Sequence, residues 1–180
     1  STETQKWLMA NSWRYGFIHR YPNDKTDITG IIYEPWHYRF VGREAATEIM
    51  KRGITLEQDG DGVMTGSDAL IYRLLFNLTE NAIKYNRTNG SVRVCVTRED
   101  TNIHIYVTDT GCGIPAEFQR SIFQPFFRVD KSRSREYGGT GLGLSLVWEI
   151  ADLHGGSVRV AESSEQGTTI AVELPALSYS

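Results

Sequence analysis

The sequence predicts an α+β fold in which helices cover one face of an antiparallel or mixed β-sheet. Four segments alternate apolar and polar residues, as strands with one buried face do, and they lie at 91–97, 102–108, 157–161 and 168–174. Two other segments, 69–85 and 142–154, carry apolar residues at helical spacing. Strands and helices of this kind are expected to form a two-layer α/β sandwich.

Composition excludes several functional classes. The 180 residues are 40% hydrophobic and 23% charged, with a net charge of −3, which gives no reason to expect nucleic acid as a partner. Cys95 and Cys112 are too few for a disulfide framework, so we expect a reducing, cytoplasmic setting. No apolar run reaches the roughly 20 residues of a membrane span, and no signal peptide is expected.

The first 50 residues differ from the remainder because they are rich in aromatic side chains. We predict a helix over 1–13, strands over 15–21 and 29–33, and a second helix over 43–52. Beyond Gly53 the pattern predicts short strands at 54–57 and 63–64. Ser67 or Asp68 is expected to cap the 69–85 helix.

The 69–85 helix carries a polar face with groups that could bind a metal ion and phosphate. Asn77, Asn81 and Lys84 are separated by four and three residues, so two carboxamides and an ammonium lie side by side. Carboxamide oxygens suit Mg²⁺, and a lysine suits phosphate. Taken alone, the pattern favours an amphipathic helix with a polar outer face, and the segments that follow reverse this preference.

Three further segments follow in order. Asp109-x-Gly111-x-Gly113 ends a strand with a hydrogen-bond acceptor and a backbone that a flat ligand can approach closely, although many ordinary turns share it. Phe123-x-x-Phe-Phe-Arg128 precedes a polar stretch that suits either a mobile lid or a solvated loop. The glycine-rich segment 138–143 leads into a helix, where free backbone N–H groups favour an anion.

Together these four motifs resemble the ATP-binding catalytic domain of bacterial sensor histidine kinases, within the Bergerat-fold (GHKL) ATPases. The resemblance covers about residues 53–175, and Gly167-Thr168 also fits it. It implies ATP and Mg²⁺ as ligands, with Asn81 holding Mg²⁺ near Asn77 and with Asp109 accepting from the adenine amino group. The other implied nucleotide contacts are Lys84, Tyr85, Gly111, Gly113, Arg128, Lys131 or Arg133, Gly139, Thr140, Gly141, Leu142 and Gly143.

The resemblance also implies a reaction and partners. Hydrolysing members of the superfamily place a Glu where Asn77 stands, and an amide is no general base, which favours phosphoryl transfer to a histidine. None of the four histidines lies in the phosphoacceptor pattern. The acceptor is therefore expected on a separate dimerisation domain, with a response regulator downstream and a parent kinase anchored in the bacterial membrane. A nucleotide-dependent switch without catalysis is an alternative.

A second resemblance concerns residues 1–58. The runs Tyr15-Gly-Phe-Ile-His-Arg-Tyr-Pro22 and Glu34-Pro-Trp-His37 resemble the C-terminal part of vancomycin-resistance-type zinc D-Ala-D-Ala carboxypeptidases. The resemblance implies Glu34 as catalytic base and His37 as one zinc ligand, although a histidine among aromatics is often a packed core residue. The two other ligands of that family have no counterpart here, so we expect no zinc and an inactive fragment. The expected units are 1–52 and 53–180, and a zinc carboxypeptidase is the second alternative.

Overall fold

The computed structural model describes residues 2–20, 32, 34, 36–129 and 140–177. Four α-helices are found in these ranges: α1 (Glu3–Asn11), α2 (Arg43–Arg52), α3 (Asp68–Lys84) and α4 (Gly143–Leu153). The strands are β1 (Phe17–His19), β2 (Tyr38–Phe40), β3 (Thr55–Asp59), β4 (Ser91–Glu99), β5 (Asn102–Asp109), β6 (Ser157–Ser164) and β7 (Gly167–Pro175).

Five strands form one mixed sheet in the order β3-β4-β5-β7-β6. β3 runs parallel to β4, and the other neighbours are antiparallel. In the centre of the sheet, Val94 pairs with Val107, which in turn pairs with Ile170. The register thus places the apolar residues of adjacent strands on one face.

Helices α3 and α4 pack against each other and against this apolar face. Leu74 and Leu78 of α3 and Val147 of α4 are completely or almost completely buried. On β5, Ile103, Ile105 and Val107 are buried while the residues between them are not, which is the alternation that the sequence showed. The predicted α+β sandwich is confirmed.

The N-terminal elements differ in detail from the prediction. The first helix ends at Asn11 and continues as a 3₁₀-helix, Ser12–Tyr15, which stops at Gly16 in the left-handed conformation. Within the described part of the predicted 15–21 strand, residues 15–20, Phe17–His19 forms the strand, and Tyr21 lies outside the described residues. This strand pairs with β2, which the sequence did not reveal because three residues show no periodicity. The predicted 29–33 strand lies outside the described residues except for Ile32.

The predicted strand at Val63–Met64 was wrong. Gly62 precedes this pair and Gly66 lies two residues after it, and Gly60 has a φ of +74°. Two residues between such breaks are too short for a ladder. The segment is held instead by one main-chain hydrogen bond, in which the Leu177 N–H donates to the Val63 carbonyl at 3.1 Å.

The N-terminal elements pack on the sheet domain. Ile18, Ala46 and Ile49 belong to the same buried cluster as α3, α4 and the large sheet. Arg39 of β2 also donates a hydrogen bond to Gln58 of β3, at 2.7 Å. Part of the aromatic surface stays exposed, namely Trp7, Tyr15, Phe17, Trp36 and Phe40. The division into units 1–52 and 53–180 stays a prediction.

Within the described ranges, no helix combines the length and apolar character needed to cross a membrane.

Candidate functional site

A cavity of about 890 Å³ opens between α2, α3, the ends of β5 and β7, segment 112–129 and the start of α4. Ten residues predicted from the sequence line it: Asn77, Asn81, Lys84, Tyr85, Asp109, Gly113, Arg128, Thr140, Gly141 and Gly143. Gly111 and Leu142 are next to lining residues in the sequence but do not line the cavity themselves. Gly139, Lys131 and Arg133 lie outside the described residues.

The carboxamides of α3 meet the start of α4. Asn77 and Asn81 are one turn apart, and the Asn77 side-chain NH₂ donates to the Arg73 carbonyl at 2.7 Å. A β-carbon at Gly143 would lie 3.1 Å from Asn77 Oδ1 and 3.6 Å from Asn81 Nδ2. Glycine at this position therefore lets the two helices cross without displacing the carboxamides.

Asp109 ends β5 at the cavity. Its carboxylate accepts the Gly111 N–H at 2.7 Å. Burial raises the pKa of this carboxyl, while the N–H groups of Gly111 and Thr168 and the charge of Arg87 act to lower it. The site thus holds a partly desolvated acceptor at the end of the central strand β5, suited to a ligand N–H group.

The turn after Asp109 approaches its neighbours closely. A β-carbon at Gly111 would overlap the Tyr85 carbonyl, and the Cys112 N–H donates to that carbonyl at 3.3 Å. Gly113 has a φ of +72°, and a β-carbon there would overlap the Ser164 carbonyl. Main-chain atoms lie so close to both glycines that a β-carbon would not fit. This is a second reason for glycine, beside the predicted close approach of a flat ligand.

Arg87 is a residue that sequence reasoning missed. Its guanidinium donates to the carbonyls of Thr110, of Gly111 at 3.0 Å and of Glu165 at 3.0 Å. It therefore ties the loop after α3 to the turn that follows Asp109. A single arginine in a polar loop carries no sequence signal for such a role.

The cationic part of the cavity lies at the end of α3. Burial lowers the pKa of the Lys84 ammonium; the Glu80 carboxylate opposes this effect, Arg128 adds to it, and Glu44 opposes it. The ammonium also lies 5.8 Å from the centre of the Tyr85 ring. An anion placed between Lys84 and Arg128 would offset their mutual repulsion.

The glycine segment before α4 is held against Phe126. Gly141 has a φ of +73°, its carbonyl accepts the Phe126 N–H at 3.0 Å, and a β-carbon there would lie 3.0 Å from Phe126 Cα. Leu142 precedes α4, and its carbonyl accepts from the Ser145 hydroxyl at 3.0 Å. The positive φ explains the glycine at position 141.

Helix α2 supplies an unexpected wall. Arg43, Glu44, Thr47 and Glu48 line the cavity opposite the buried face of Ala46 and Ile49. The sequence predicted the helix but gave no sign that its polar face would turn towards the ligand site.

The residues of the peptidase resemblance lie elsewhere. His37 Nδ1 lies 2.9 Å from Glu34 Oε2, and His19 Nε2 lies 2.7 Å from the Glu34 carbonyl. None of the three lines the cavity. Across the ranges that the structure describes, no group of three or more His, Cys, Asp or Glu side chains could hold a metal ion.

Two family models match different parts of the chain. The family described as histidine kinase-, DNA gyrase B- and HSP90-like ATPase matches residues 66–178. The D-alanyl-D-alanine carboxypeptidase family VanY matches residues 1–43. The sensor-like histidine kinase SenX3 of Mycolicibacterium smegmatis is 35% identical over 153 residues. That match covers 84% of this chain and only 38% of SenX3.

Solved structures agree in fold. The mycobacterial sensor histidine kinase MprB superimposes with a TM-score of 0.63 at 29% identity, over 77% of this chain and 95% of that one. The histidine kinase ThkA, solved in complex with the response regulator TrrA, superimposes with a TM-score of 0.58 at 27% identity, over 75% of this chain and 39% of that one. These likenesses confirm the predicted resemblance to histidine kinase catalytic domains.

Proposed function

Since this chain belongs to the family of histidine kinase-, DNA gyrase B- and HSP90-like ATPases, we propose that its cavity binds ATP together with Mg²⁺. One observation carries the proposal. Residues from four separate segments, each singled out in the sequence, converge on a single cavity of about 890 Å³. Its lining combines a carboxylate acceptor, Asp109, and the carboxamide Asn81 with two cations, Lys84 and Arg128.

These groups suit the different parts of ATP. The Asp109 carboxylate accepts the adenine amino group, and the Gly111–Gly113 turn lies along the base. Asn81, with Asn77 beside it, offers amide oxygens to Mg²⁺, which would neutralise charge on the phosphates. Lys84, Arg128 and the main chain at Gly141–Gly143 hold the phosphate chain.

The reaction we propose is phosphoryl transfer to a histidine. The unprotonated ring nitrogen of the acceptor imidazole forms a P–N bond to the γ-phosphorus. The bond from that phosphorus to the β,γ-bridging oxygen breaks, and ADP leaves with the oxygen and the electron pair of the bond. Asn77 cannot take a proton from water at neutral pH, which disfavours hydrolysis. The acceptor histidine lies on a separate dimerisation domain, and a response regulator then takes the phosphoryl group, as the complex of ThkA with TrrA suggests.

The chain spans 38% of SenX3. We therefore propose that a longer parent sensor kinase supplies the acceptor domain and the membrane anchor. We place the catalytic domain in the cytoplasm, where ATP is available. The family match over 66–178 and the composition of the cavity favour this function over the zinc carboxypeptidase.

Calorimetric titration with a non-hydrolysable ATP analogue tests the binding step. We expect binding that strengthens with Mg²⁺ in the wild-type chain and a loss of the Mg²⁺ effect in Asn81→Ala. His37→Ala serves as the matched control, because His37 does not line the cavity. A folded wild-type protein that binds no analogue would refute the proposal.

Transfer to a supplied histidine-bearing dimerisation domain tests the second step. Labelled γ-phosphate should appear on the acceptor with wild-type protein and not with Asn81→Ala. Binding without transfer to any supplied acceptor would favour the alternative of a nucleotide-dependent switch.

A further inference from the structure

Arg52, the last residue of α2, makes three hydrogen bonds to main chain at the end of α3. Its guanidinium donates to the carbonyls of Ile83 at 3.3 Å, Lys84 at 3.0 Å and Asn86 at 3.1 Å. A 3.0 Å ion pair between Arg52 Nε and Glu48 holds the guanidinium, and the Arg52 side chain is only 14% exposed. Arg52 lies outside the segment that matches the ATPase family.

Two of these acceptors, the Ile83 and Lys84 carbonyls, belong to the last turn of α3, and the Asn86 carbonyl lies in the loop that follows it. The last four carbonyls of an α-helix have no intrahelical donor, and the helix dipole places partial negative charge there. Arg52 Nη1 makes all three of these hydrogen bonds while Nε pairs with Glu48, and a lysine ammonium cannot present two separate nitrogens in one plane in this way. Lys84 ends α3 and Tyr85 follows it, and both line the cavity.

The loop after α3 is fixed to the same place. The Asn89 N–H donates to the Arg52 carbonyl at 2.7 Å, and the Thr55 N–H donates to the Gly90 carbonyl at 3.0 Å. Arg52 thus contacts the loop through its side chain and through its main chain. Removing the guanidinium keeps the Asn89 main-chain hydrogen bond but takes away the three bonds that hold the end of α3.

The geometry points to Arg52 as a positioning residue for the nucleotide site, which acts by fixing the main chain that carries Lys84 and Tyr85. This inference rests on the proposed function, since it assigns to α2 a part in nucleotide affinity. A residue that only stabilises the fold can be replaced without changing the nucleotide affinity of the folded protein. The proposed role of Arg52 requires that affinity to change.

The test compares Arg52→Gln, Arg52→Lys and a matched control, Lys51→Gln. Lys51 is the neighbouring exposed cation of α2 and does not line the cavity. Titration with the Mg²⁺ complex of a non-hydrolysable ATP analogue should give a Kd raised about tenfold or more in Arg52→Gln, since small displacements of positioning groups are costly. Arg52→Lys should be intermediate, and Lys51→Gln should stay within about twofold of wild type.

Amide hydrogen exchange without nucleotide provides the second readout. Residues 83–90 should exchange faster in Arg52→Gln and not in Lys51→Gln. A folded Arg52→Gln protein with wild-type affinity would overturn the inference, even if its melting temperature fell. Should Arg52→Gln not fold, wild-type affinity and exchange in Arg52→Lys would overturn it. If wild type binds no analogue, the proposed function itself is refuted. That outcome differs from a failure of the Arg52 inference alone, in which wild type still binds the analogue.

Discussion

At the scale of single residues, the charged form of Asp109 lowers the stability of the folded protein but is the better hydrogen-bond acceptor for the nucleotide. Burial is the main cause that raises the pKa of its carboxyl. The folded protein therefore holds this proton more tightly than the unfolded chain does. Stability contributed by this group falls as pH rises through the interval from the unfolded to the raised folded pKa, and it stays low above that interval.

The same titration should control nucleotide affinity. We expect the affinity for an ATP analogue to weaken as pH falls through the raised pKa of Asp109, because the protonated carboxyl is a poorer acceptor. Asp109→Asn should bind at least about tenfold more weakly at neutral pH, as expected when a charged hydrogen-bond partner is lost. Calorimetric titrations at a series of pH values measure both effects.

Asp109→Asn also serves as the control for the pH dependence of binding. Asp109→Asn should lose the acid dependence of binding and should melt at or above the wild-type temperature at neutral pH, because a partly buried charge has been removed. An unchanged acid limb in Asp109→Asn would assign the titration to another group.

Gly113 offers a prediction about the turn that follows Asp109. Its φ of +72° and its closeness to the Ser164 carbonyl both oppose a β-carbon. Gly155 has the same φ of +72° but only Pro175 Cγ near, at 3.8 Å. Gly113→Ala should therefore destabilise the protein more than Gly155→Ala, whose cost we expect to be about 1 kcal/mol from backbone strain alone. Urea denaturation of the two variants measures the difference, and equal losses would contradict a close contact at Gly113.

At the scale of elements, the crossing of α3 and α4 determines where the carboxamides lie. A β-branched side chain at Gly143 would push against Asn77 Oδ1 and Asn81 Nδ2, which stand 3.1 and 3.6 Å from the added β-carbon. Gly143→Val should thus stay folded while the Mg²⁺ effect on nucleotide binding is largely lost. Titration with and without Mg²⁺ checks this result.

Gly143→Ala is the matched control. Its single methyl group touches the carboxamides without requiring a large shift, so most of the Mg²⁺ effect should remain. An equal loss in both variants would show that flexibility at the start of α4, rather than space beside the carboxamides, is what binding requires.

The elements also show what sequence patterns can and cannot establish. The prediction for α3 is correct to one residue at each end, because 17 residues carry a sustained apolar stripe and a polar break on either side. The strands β4 and β5 are likewise recognisable from alternation. β2 has only three residues, too few to show a period. Val63–Met64 is apolar, as a strand would be, but forms no strand in the structure.

The candidate site divides in the same way. Asn77, Asn81 and Asp109 could be identified because side-chain chemistry and spacing are local properties of the sequence. Arg52 and Arg87 could not, because their hydrogen bonds go to carbonyls, and every residue supplies one. Which carbonyls converge on a guanidinium depends on how α2, α3 and the β5 end meet in space.

At the scale of the whole molecule, family boundaries and physical boundaries do not coincide. The two family matches cover 1–43 and 66–178, and most of α2 and all of β3 lie between them. β3 nevertheless pairs with β4 as an edge of the large sheet, and α2 lines the cavity. Ile18, within the carboxypeptidase-like segment, is buried in the same cluster as Leu74 of α3.

A continuous core should make the chain unfold as one unit. The tryptophans are Trp7, Trp13, Trp36 and Trp148, so that in Trp148→Phe the fluorescence reports only on residues before α2. Trp148 is 48% exposed, and this replacement should cost little. In urea, the fluorescence of Trp148→Phe and its far-ultraviolet circular dichroism should change at the same midpoint.

Adding Ile18→Ala to Trp148→Phe sharpens the test. Ile18 is 5% exposed, and its truncation should cost about 2–4 kcal/mol. If the core is shared, both signals move together to lower urea, since the loss acts on one cooperative transition. If residues 1–52 were an independent unit, only the fluorescence midpoint would move while the circular dichroism of the sheet domain kept its own. Separate midpoints would restore the predicted division of the chain at residue 52, and coincident ones would make the N-terminal segment a structural part of the nucleotide-binding domain.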